Sequence, residues 1–181
     1  MTANATTLVL GGARSGKSAF AERLVRETRH ARIYLATATA GDDEMRQRIV
    51  HHRAARGDGW RTIEEPLALA DTLTREDRDD TVILVDCLTL WLSNLFGAGR
   101  DIERESQQLS RCLREVRSTI VLVSNEVGLG LVPETPLGRE FRDAQGRLNQ
   151  QIAASVANVV FVAAGLPMWL KRNQAPEKAL P

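Results

Sequence analysis

A glycine-rich segment directly behind an apolar run constrains this 181-residue chain more than any other feature. The segment GGARSGKS occupies positions 11–18 and follows TLVL. It fits the spacing G-x-x-x-x-G-K-[ST], in which the glycines let backbone N–H groups turn toward a phosphate. The lysine, here Lys17, reaches the β- and γ-phosphates, and the hydroxyl of Ser18 binds Mg²⁺. A helix predicted from Ser18 to Glu27 points its positive N-terminus at the same anion, so we expect a strand, a phosphate-binding loop and a helix in succession.

Five apolar or β-branched runs divide the chain into alternating strands and helices. Continuous runs of this kind are typical of strands that are buried on both faces of a parallel sheet. They read TLVLGG near the start, RIYLATA from Arg32, TVILVDC from Thr81, STIVLVSN from Ser118 and NVVFVAAG from Asn158. Further helical patterns lie at Asp42–Arg56, Pro66–Thr74, Ile102–Val116 and Leu137–Val156. The alternation predicts one α/β domain over residues 1–172, a mostly parallel sheet flanked by helices, and a flexible tail over residues 173–181.

Composition restricts the partners of the chain. It carries 24 Lys and Arg against 23 Asp and Glu, a net charge of +1, with four Phe, three Trp and one Tyr. So small a net charge and so few aromatic rings argue against a nucleic-acid partner. No stretch is apolar enough to cross a bilayer, and the N-terminal MTANATT lacks the pattern of a signal peptide. The two cysteines, Cys87 and Cys112, show no metal or disulfide spacing, so we expect a cytoplasmic protein.

The strand TVILVDC ends in Asp86, where a P-loop protein holds a second acid for its metal. We therefore predict that Ser18 and Asp86 bind Mg²⁺. Asp86 could also cap the helix that begins behind it, and the two roles are compatible. That helix, LTLWLSNLF, is apolar almost all round. It is expected to be buried in the core, with a subunit interface as the alternative.

Two other motifs distinguish a regulatory GTPase from other proteins that carry a phosphate loop. A regulatory GTPase needs a D-x-x-G switch behind a metal-binding strand and an N-K-x-D guanine motif. Here D-A-Q-G at positions 143–146 lies in a predicted helix, and Asn125 is followed by Glu126. Phosphate transfer to a small molecule is the better interpretation, and a nucleotide-dependent binding or switch module is the alternative.

A histidine pair indicates a second chemistry. His51 and His52 stand in DDEMRQRIVHHRAARG, with Arg53 and Arg56 just beyond them. An imidazole nitrogen can attack an α-phosphate to form a phosphoramidate, and adjacent arginines can hold the phosphates. Lysine is the usual alternative, but Lys17 belongs to the phosphate loop and the other two lysines lie near the C-terminus. Spacing alone favours a partly buried structural histidine as the interpretation of His52, and the adjacent arginines shift the balance toward the phosphate chemistry.

Several sequence blocks together resemble one family. In order from Leu8 to Gly165 they are GGARSGKS, YLATA, DDEMRQRIVHHRAARG, GWRTIEE, LVDCLTLWLSNL and VSNEVGLGLVPETPLGREFRDAQGRLNQQIA. The chain resembles the bifunctional adenosylcobinamide kinase/adenosylcobinamide-phosphate guanylyltransferases of cobalamin assembly. The resemblance implies a RecA-like P-loop fold, a homotrimer and a corrinoid substrate. It implies phosphorylation of adenosylcobinamide by ATP or GTP, then transfer of GMP from GTP through His52, which gives adenosylcobinamide-GDP and pyrophosphate.

The resemblance also implies which residues form the site. Lys17 and His52 are the catalytic residues. Nucleotide-binding positions are Gly11, Gly12, Ala13, Arg14, Ser15, Gly16, Lys17, Ser18, Ala36, Thr37, Ala38, Arg53, Ala54, Ala55, Arg56, Glu64 and Asp86. Some relatives carry glutamate at position 86, and either acid can serve the metal. In the NEVG…NQ block, a predicted helix carries Arg142, Asp143, Arg147 and Asn149, which either form a salt-bridged surface or contact the corrinoid or a phosphate.

Overall fold

The computed structural model describes residues 5–38 and 57–173, which contain seven strands and five helices. The strands are β1 (Thr7–Gly11), β2 (Ala31–Ala36), β3 (Trp60–Glu64), β4 (Thr81–Asp86), β5 (Thr119–Asn125), β6 (Asn158–Ala163) and β7 (Leu166–Lys171). The helices are α1 (Lys17–Arg26), α2 (Leu69–Arg75), α3 (Leu88–Gly97), α4 (Ile102–Glu115) and α5 (Pro136–Ser155). The helix predicted at Asp42–Arg56 and all but the first residue of the predicted tail lie outside the described residues. None of the helices in the two described ranges has the length and hydropathy needed to cross a bilayer.

All seven strands form one sheet, in the order β3-β2-β4-β5-β1-β6-β7. Every neighbouring pair is parallel except β6 and β7, which form an antiparallel hairpin. The six parallel strands therefore end at the same edge of the sheet, which is where α/β proteins bind their ligands. The predicted α/β fold with a mostly parallel sheet is confirmed.

The five strands predicted from apolar runs are all present, but β3 and β7 were missed. Both are edge strands, held by hydrogen bonds to a single neighbour. The residues of β3 are half-buried or exposed, and all six residues of β7 are exposed. Strand β3 (WRTIE) lacks the continuous apolar run by which central strands are recognised, and the apolar run of β7 (LPMWLK) contains Pro167, a residue confined to edge strands and bulges.

The core lies on both faces of the sheet, since alternate residues of a strand point to opposite sides. Helix α1 covers one face, where Phe20, Ala21 and Val25 pack against the cluster that contains Val9 and Leu84. The other four helices cover the opposite face and contribute to the larger apolar cluster. Among the described residues, α1 is the one helix whose buried side chains pack on this face of the sheet.

Helix α3 contains the apolar segment LTLWLSNLF. Leu88, Trp91, Leu92 and Leu95 are buried, and the Trp91 indole donates a hydrogen bond to the carbonyl oxygen of Leu67 at 2.9 Å. The predicted burial of this helix is confirmed. Because the core of a single chain takes up its apolar side chains, this helix no longer supports a subunit interface.

Candidate active site

The phosphate loop connects the end of β1 to the start of α1, as the motif predicts. Gly16 adopts a left-handed backbone conformation (φ 95°) directly before the helix, and Arg14 does so within the loop (φ 55°). Lys17 is the first residue of α1, and its ammonium group reaches back over the loop to donate to the carbonyl oxygen of Gly12 at 3.0 Å. Ser18 follows as the second residue of the helix and is half-buried. Strand, glycine-rich loop and helix thus follow in the order that the motif predicts, with Lys17 and Ser18 in the first turn of the helix.

The β6–β7 hairpin holds the loop from one side, a contact that the sequence analysis missed. The hairpin turn contains Ala164 (φ 50°) and Gly165 (φ 78°), and Gly165 N–H donates to the carbonyl oxygen of Ser15 at 2.8 Å. A Cβ on Gly16 would lie 3.1 Å from Gly165 Cα. An Ala-Gly pair between two apolar runs is a turn signal, so the hairpin could have been found in VFVAAGLPMWL.

Asp86 is the last residue of β4 and is half-buried at the same edge. Its carboxylate accepts a hydrogen bond from the Tyr34 phenol, with 2.6 Å between Oη and Oδ2. The N-cap of α3 is Cys87, which makes no side-chain capping bond. Asp86 is therefore not the cap of α3, and the side-chain hydrogen bond of its carboxylate goes to Tyr34 of β2. The carboxylate is thus directed by the sheet rather than by the helix behind it.

The thiol of Cys87 reports on the electrostatics of this edge. Burial, together with the negative charge of Asp86, raises the pKa of the Cys87 thiol to about 11, whereas Lys17 acts to lower it. Because both charges act on the Cys87 thiol, Lys17 and Asp86 both lie near it. The thiol itself stays protonated near neutral pH and is not a nucleophile.

Thr37 joins the ends of β2 and β4. Its hydroxyl accepts from Cys87 N–H and donates to the Cys87 carbonyl oxygen, both at 2.8 Å, and Asn94 donates to the carbonyl oxygen of Thr37 at 2.7 Å. The Thr37 side chain is completely buried by these contacts, so a direct hydroxyl contact with the nucleotide has no support from the geometry. Ala36 and Ala38, on either side, are half-buried at the strand end.

The other residues predicted for the nucleotide site do not lie beside the phosphate loop in the described part of the chain. Glu64 ends β3, pairs with Ala36 and is exposed at the same edge, but three strands separate β3 from β1. Both histidines of the pair, together with Arg53, Ala54, Ala55 and Arg56, lie outside the described residues. The described part of the chain therefore brings together the phosphate loop and Asp86, with Glu64 at a distance along the edge.

A buried polar network fixes the end of β5 beside the loop. Gln145 and Asn149 of α5 bond to the hydroxyl of Ser124, at 3.0 and 2.7 Å, and Asn149 also donates to the carbonyl oxygen of Asn125 at 3.1 Å. Glu126 N–H then donates to the carbonyl oxygen of Gly11 at 3.0 Å. The buried side of the NEVG…NQ block is thus structural, and it positions the strand next to β1.

The NEVG…NQ block also carries charged residues that lie nearer the surface. Arg142 forms an ion pair with its neighbour Asp143 at 2.9 Å, and Arg147 is exposed. This fits the salt-bridged surface that was one of the two alternatives for these residues. A corrinoid or phosphate contact by them stays a prediction.

A lysine-containing phosphate loop behind the central strand, with a carboxylate at the end of a nearby parallel strand, defines a P-loop nucleotide-binding protein. Residues 7–170 match the family model described as cobinamide kinase/cobinamide phosphate guanyltransferase, and the chain belongs to this family.

The curated names of two relatives agree with this family assignment. The bifunctional adenosylcobalamin biosynthesis protein CobP of Pseudomonas aeruginosa is 53% identical over 166 residues, which cover 91% of this chain and 96% of that protein. The protein CobU of Escherichia coli, named in the same way, is 39% identical over 179 residues, with 91% and 98% of the two chains covered. A solved structure from Pyrococcus horikoshii shares the fold, with a TM-score of 0.55 at 9% identity over 96% of this chain and 89% of that one.

The packing around the loop gives a prediction with a matched control. A Cβ added to Gly11 would lie 2.5 Å from the backbone oxygen of Val162, whereas one added to Gly12 meets nothing within 4 Å. We expect Gly11→Ala to lower the free energy of unfolding by about 1–3 kcal/mol through overpacking. Gly12→Ala should change it by less than about 0.5 kcal/mol. Urea unfolding of both variants measures the difference, and equal stabilities would contradict the packing described here.

Proposed function

We propose that this protein phosphorylates adenosylcobinamide with ATP or GTP and then transfers GMP from GTP to the phosphate so formed. The geometry that supports this most directly is the phosphate loop with Lys17 at the carboxyl edge and Asp86 at the end of β4. Membership of the cobinamide kinase/cobinamide phosphate guanyltransferase family supports the choice of substrate.

In the first reaction the substrate hydroxyl oxygen attacks the γ-phosphorus, and the bond to the β,γ-bridging oxygen breaks. The nucleoside diphosphate leaves, and the hydroxyl proton passes to solvent. Lys17 and the N–H groups at the start of α1 stabilise the negative charge on the phosphates. Because this charge stabilisation is the main contribution of the protein, no covalent intermediate is required in this step.

Mg²⁺ fits the donor set at this edge. The hydroxyl of Ser18 and the carboxylate of Asp86 are hard oxygen ligands, and one or two such groups together with nucleotide phosphates are what Mg²⁺ takes in enzymes of this kind. When bound, the ion neutralises charge on the phosphates. Ser18 and Asp86 would hold it, and Glu64 is a candidate for a nucleotide contact further along the edge.

In the second reaction a neutral nitrogen of His52 attacks the α-phosphorus of GTP, and pyrophosphate leaves. The phosphate oxygen of adenosylcobinamide phosphate then attacks the same phosphorus, the P–N bond breaks and adenosylcobinamide-GDP forms. Arg53 and Arg56 are proposed to hold the phosphates. A kinase of another small alcohol, with structural histidines, is the alternative, and it predicts no covalent nucleotide.

The kinase reaction tests the loop. We expect Lys17→Ala to lower kinase turnover ~10²-fold or more, because a charge that stabilises the transferred phosphoryl group is lost. Turnover is measured with cobinamide and ATP or GTP. Lys171→Ala is the matched control, since that lysine bonds to the carbonyl oxygens of Ala153 and Val156 at the end of α5, and it should keep full turnover. A folded Lys17→Ala variant with parental turnover would rule out the proposed role of the loop.

The histidine pair is tested by intact-protein mass spectrometry after exposure to GTP. The parent and His51→Ala should gain the mass of one GMP, whereas His52→Ala should gain none and lose the guanylyltransferase step. His52→Ala should keep most of its kinase turnover because Lys17 and Asp86 remain. An adduct that disappears only in His51→Ala reverses the assignment, and its absence from the parent removes the covalent mechanism.

A homotrimer is proposed on the basis of the resemblance and of one exposed surface. Strand β7 lies at the edge of the sheet, and its Leu166, Met168 and Leu170 are 54–70% exposed. Apolar side chains on an unpaired edge are typical of surfaces that associate. Light scattering should give about three times the 20.0 kDa mass of the chain. A monomer at micromolar concentration would contradict the proposal, and Leu170→Glu should weaken a trimer formed through β7.

A further inference from the structure

The hydrogen bond between Tyr34 and Asp86 has no part in the function described so far. Its Oη to Oδ2 distance of 2.6 Å is in the range of about 2.5–2.7 Å for a hydroxyl that donates to a carboxylate. Such charge-assisted bonds are roughly twice as strong as neutral ones. Tyr34 is only 6% exposed, and its ring packs edge-on against Trp60 with 6.3 Å between ring centroids. The position of the phenol is therefore fixed by packing in the core.

The register of the sheet brings these two residues together. Tyr34 of β2 pairs with Leu84 of β4, and Asp86 stands two residues further on. Residues separated by two positions lie on the same face of a strand, so the Asp86 side chain lies on the face where Tyr34 and α1 are found. Tyr34 thus contacts Asp86 from the neighbouring strand β2, whereas the phosphate loop lies beyond the carboxyl end of β1.

We propose that Tyr34 is a positioning residue of the phosphate-transfer site. By donating to Oδ2 it fixes the orientation of the Asp86 carboxylate and leaves Oδ1 as the oxygen available to the Mg²⁺ of a bound nucleotide. This inference rests on the proposed role of Asp86 in the kinase reaction. The alternative is that Asp86 merely satisfies a buried hydroxyl, as the partner of any buried tyrosine does.

Tyr34→Phe removes the hydroxyl and keeps the ring. Hydrogen-bond partners of metal ligands typically affect metal affinity or activity by about 10–100-fold. We therefore expect the Mg²⁺ concentration for half-maximal kinase turnover to rise about 10-fold, with the KM for cobinamide unchanged. Titration calorimetry with ADP gives a reading that is independent of activity. Affinity in EDTA should equal that of the parent, and the gain on adding Mg²⁺ should be smaller than in the parent.

Tyr34 is the only tyrosine of the chain, so it can be observed directly. Protein labelled with [ζ-¹³C]tyrosine should give one resonance. We expect this resonance to shift in Asp86→Ala and, in the parent, to shift more with Mg²⁺ and ADP than with ADP and EDTA. A resonance that responds to neither change overturns the proposal, and this measurement stands even if Tyr34→Phe does not fold.

Two further variants separate a positioning role from a loss of packing. Ser118→Ala removes another fully buried hydroxyl, one that donates to Asp77 at 2.6 Å near the start of β5, and it should leave the Mg²⁺ dependence unchanged. Tyr34→Phe should add nothing to the loss already caused by Asp86→Ala, because it acts through that carboxylate. Additive losses would overturn the proposal.

The outcomes also distinguish this inference from the proposed function. If Asp86→Ala keeps the Mg²⁺ dependence of the parent, the proposed role of Asp86 is wrong, and the inference falls with it. If Asp86→Ala loses the Mg²⁺ dependence while Tyr34→Phe retains it, the proposed function stands and the role of Tyr34 alone is wrong.

Discussion

A phosphate loop binds through backbone N–H groups, so everything else at this site depends on how firmly the main chain of the loop is held. Gly165 N–H bonds to the carbonyl oxygen of Ser15, and Glu126 N–H bonds to that of Gly11. The backbone oxygen of Val162 stands where a side chain on Gly11 would lie. Contacts from β5 and β6, the two neighbours of β1, thus enclose the loop. These contacts are made by backbone atoms, so they hold the main chain of the loop directly.

The parallel sheet explains how residues far apart in sequence reach one edge. Strand β5 lies between the strand of the phosphate loop and that of Asp86, and its end is fixed by Gln145 and Asn149. Buried amides are costly unless they are hydrogen-bonded, so Asn149, which bonds through both Oδ1 and Nδ2, favours one position of α5 against the sheet. Its effect on the site is indirect but definite, since the next residue of the chain, Glu126, bonds to Gly11.

The sequence predicted those parts of the fold that are decided locally. An apolar run is enough to identify a central strand, and the glycine and lysine spacing identifies the loop. Strand β3 could not be found in this way because WRTIE is not a continuous apolar run, and in β7 the apolar run is interrupted by Pro167. The contact between Tyr34 and Asp86 depends on the register of β2 against β4, which is set by pairing across 52 positions of sequence. The hairpin support of the loop depends likewise on a tertiary approach of Gly165 to Gly16 that no local pattern encodes.

The site therefore places its two kinds of group by different means. The phosphate-binding N–H groups are placed by main-chain packing, which tolerates no added Cβ at Gly11. The carboxylate of Asp86 is placed by the strand end and by a phenol whose ring is fixed against Trp60. A glutamate at position 86 would be longer by about 1.5 Å and would have one more rotatable bond. To accept from the same phenol it would have to fold back, which would move its carboxylate relative to the loop. The length of the acid and the position of Tyr34 are thus matched in this chain.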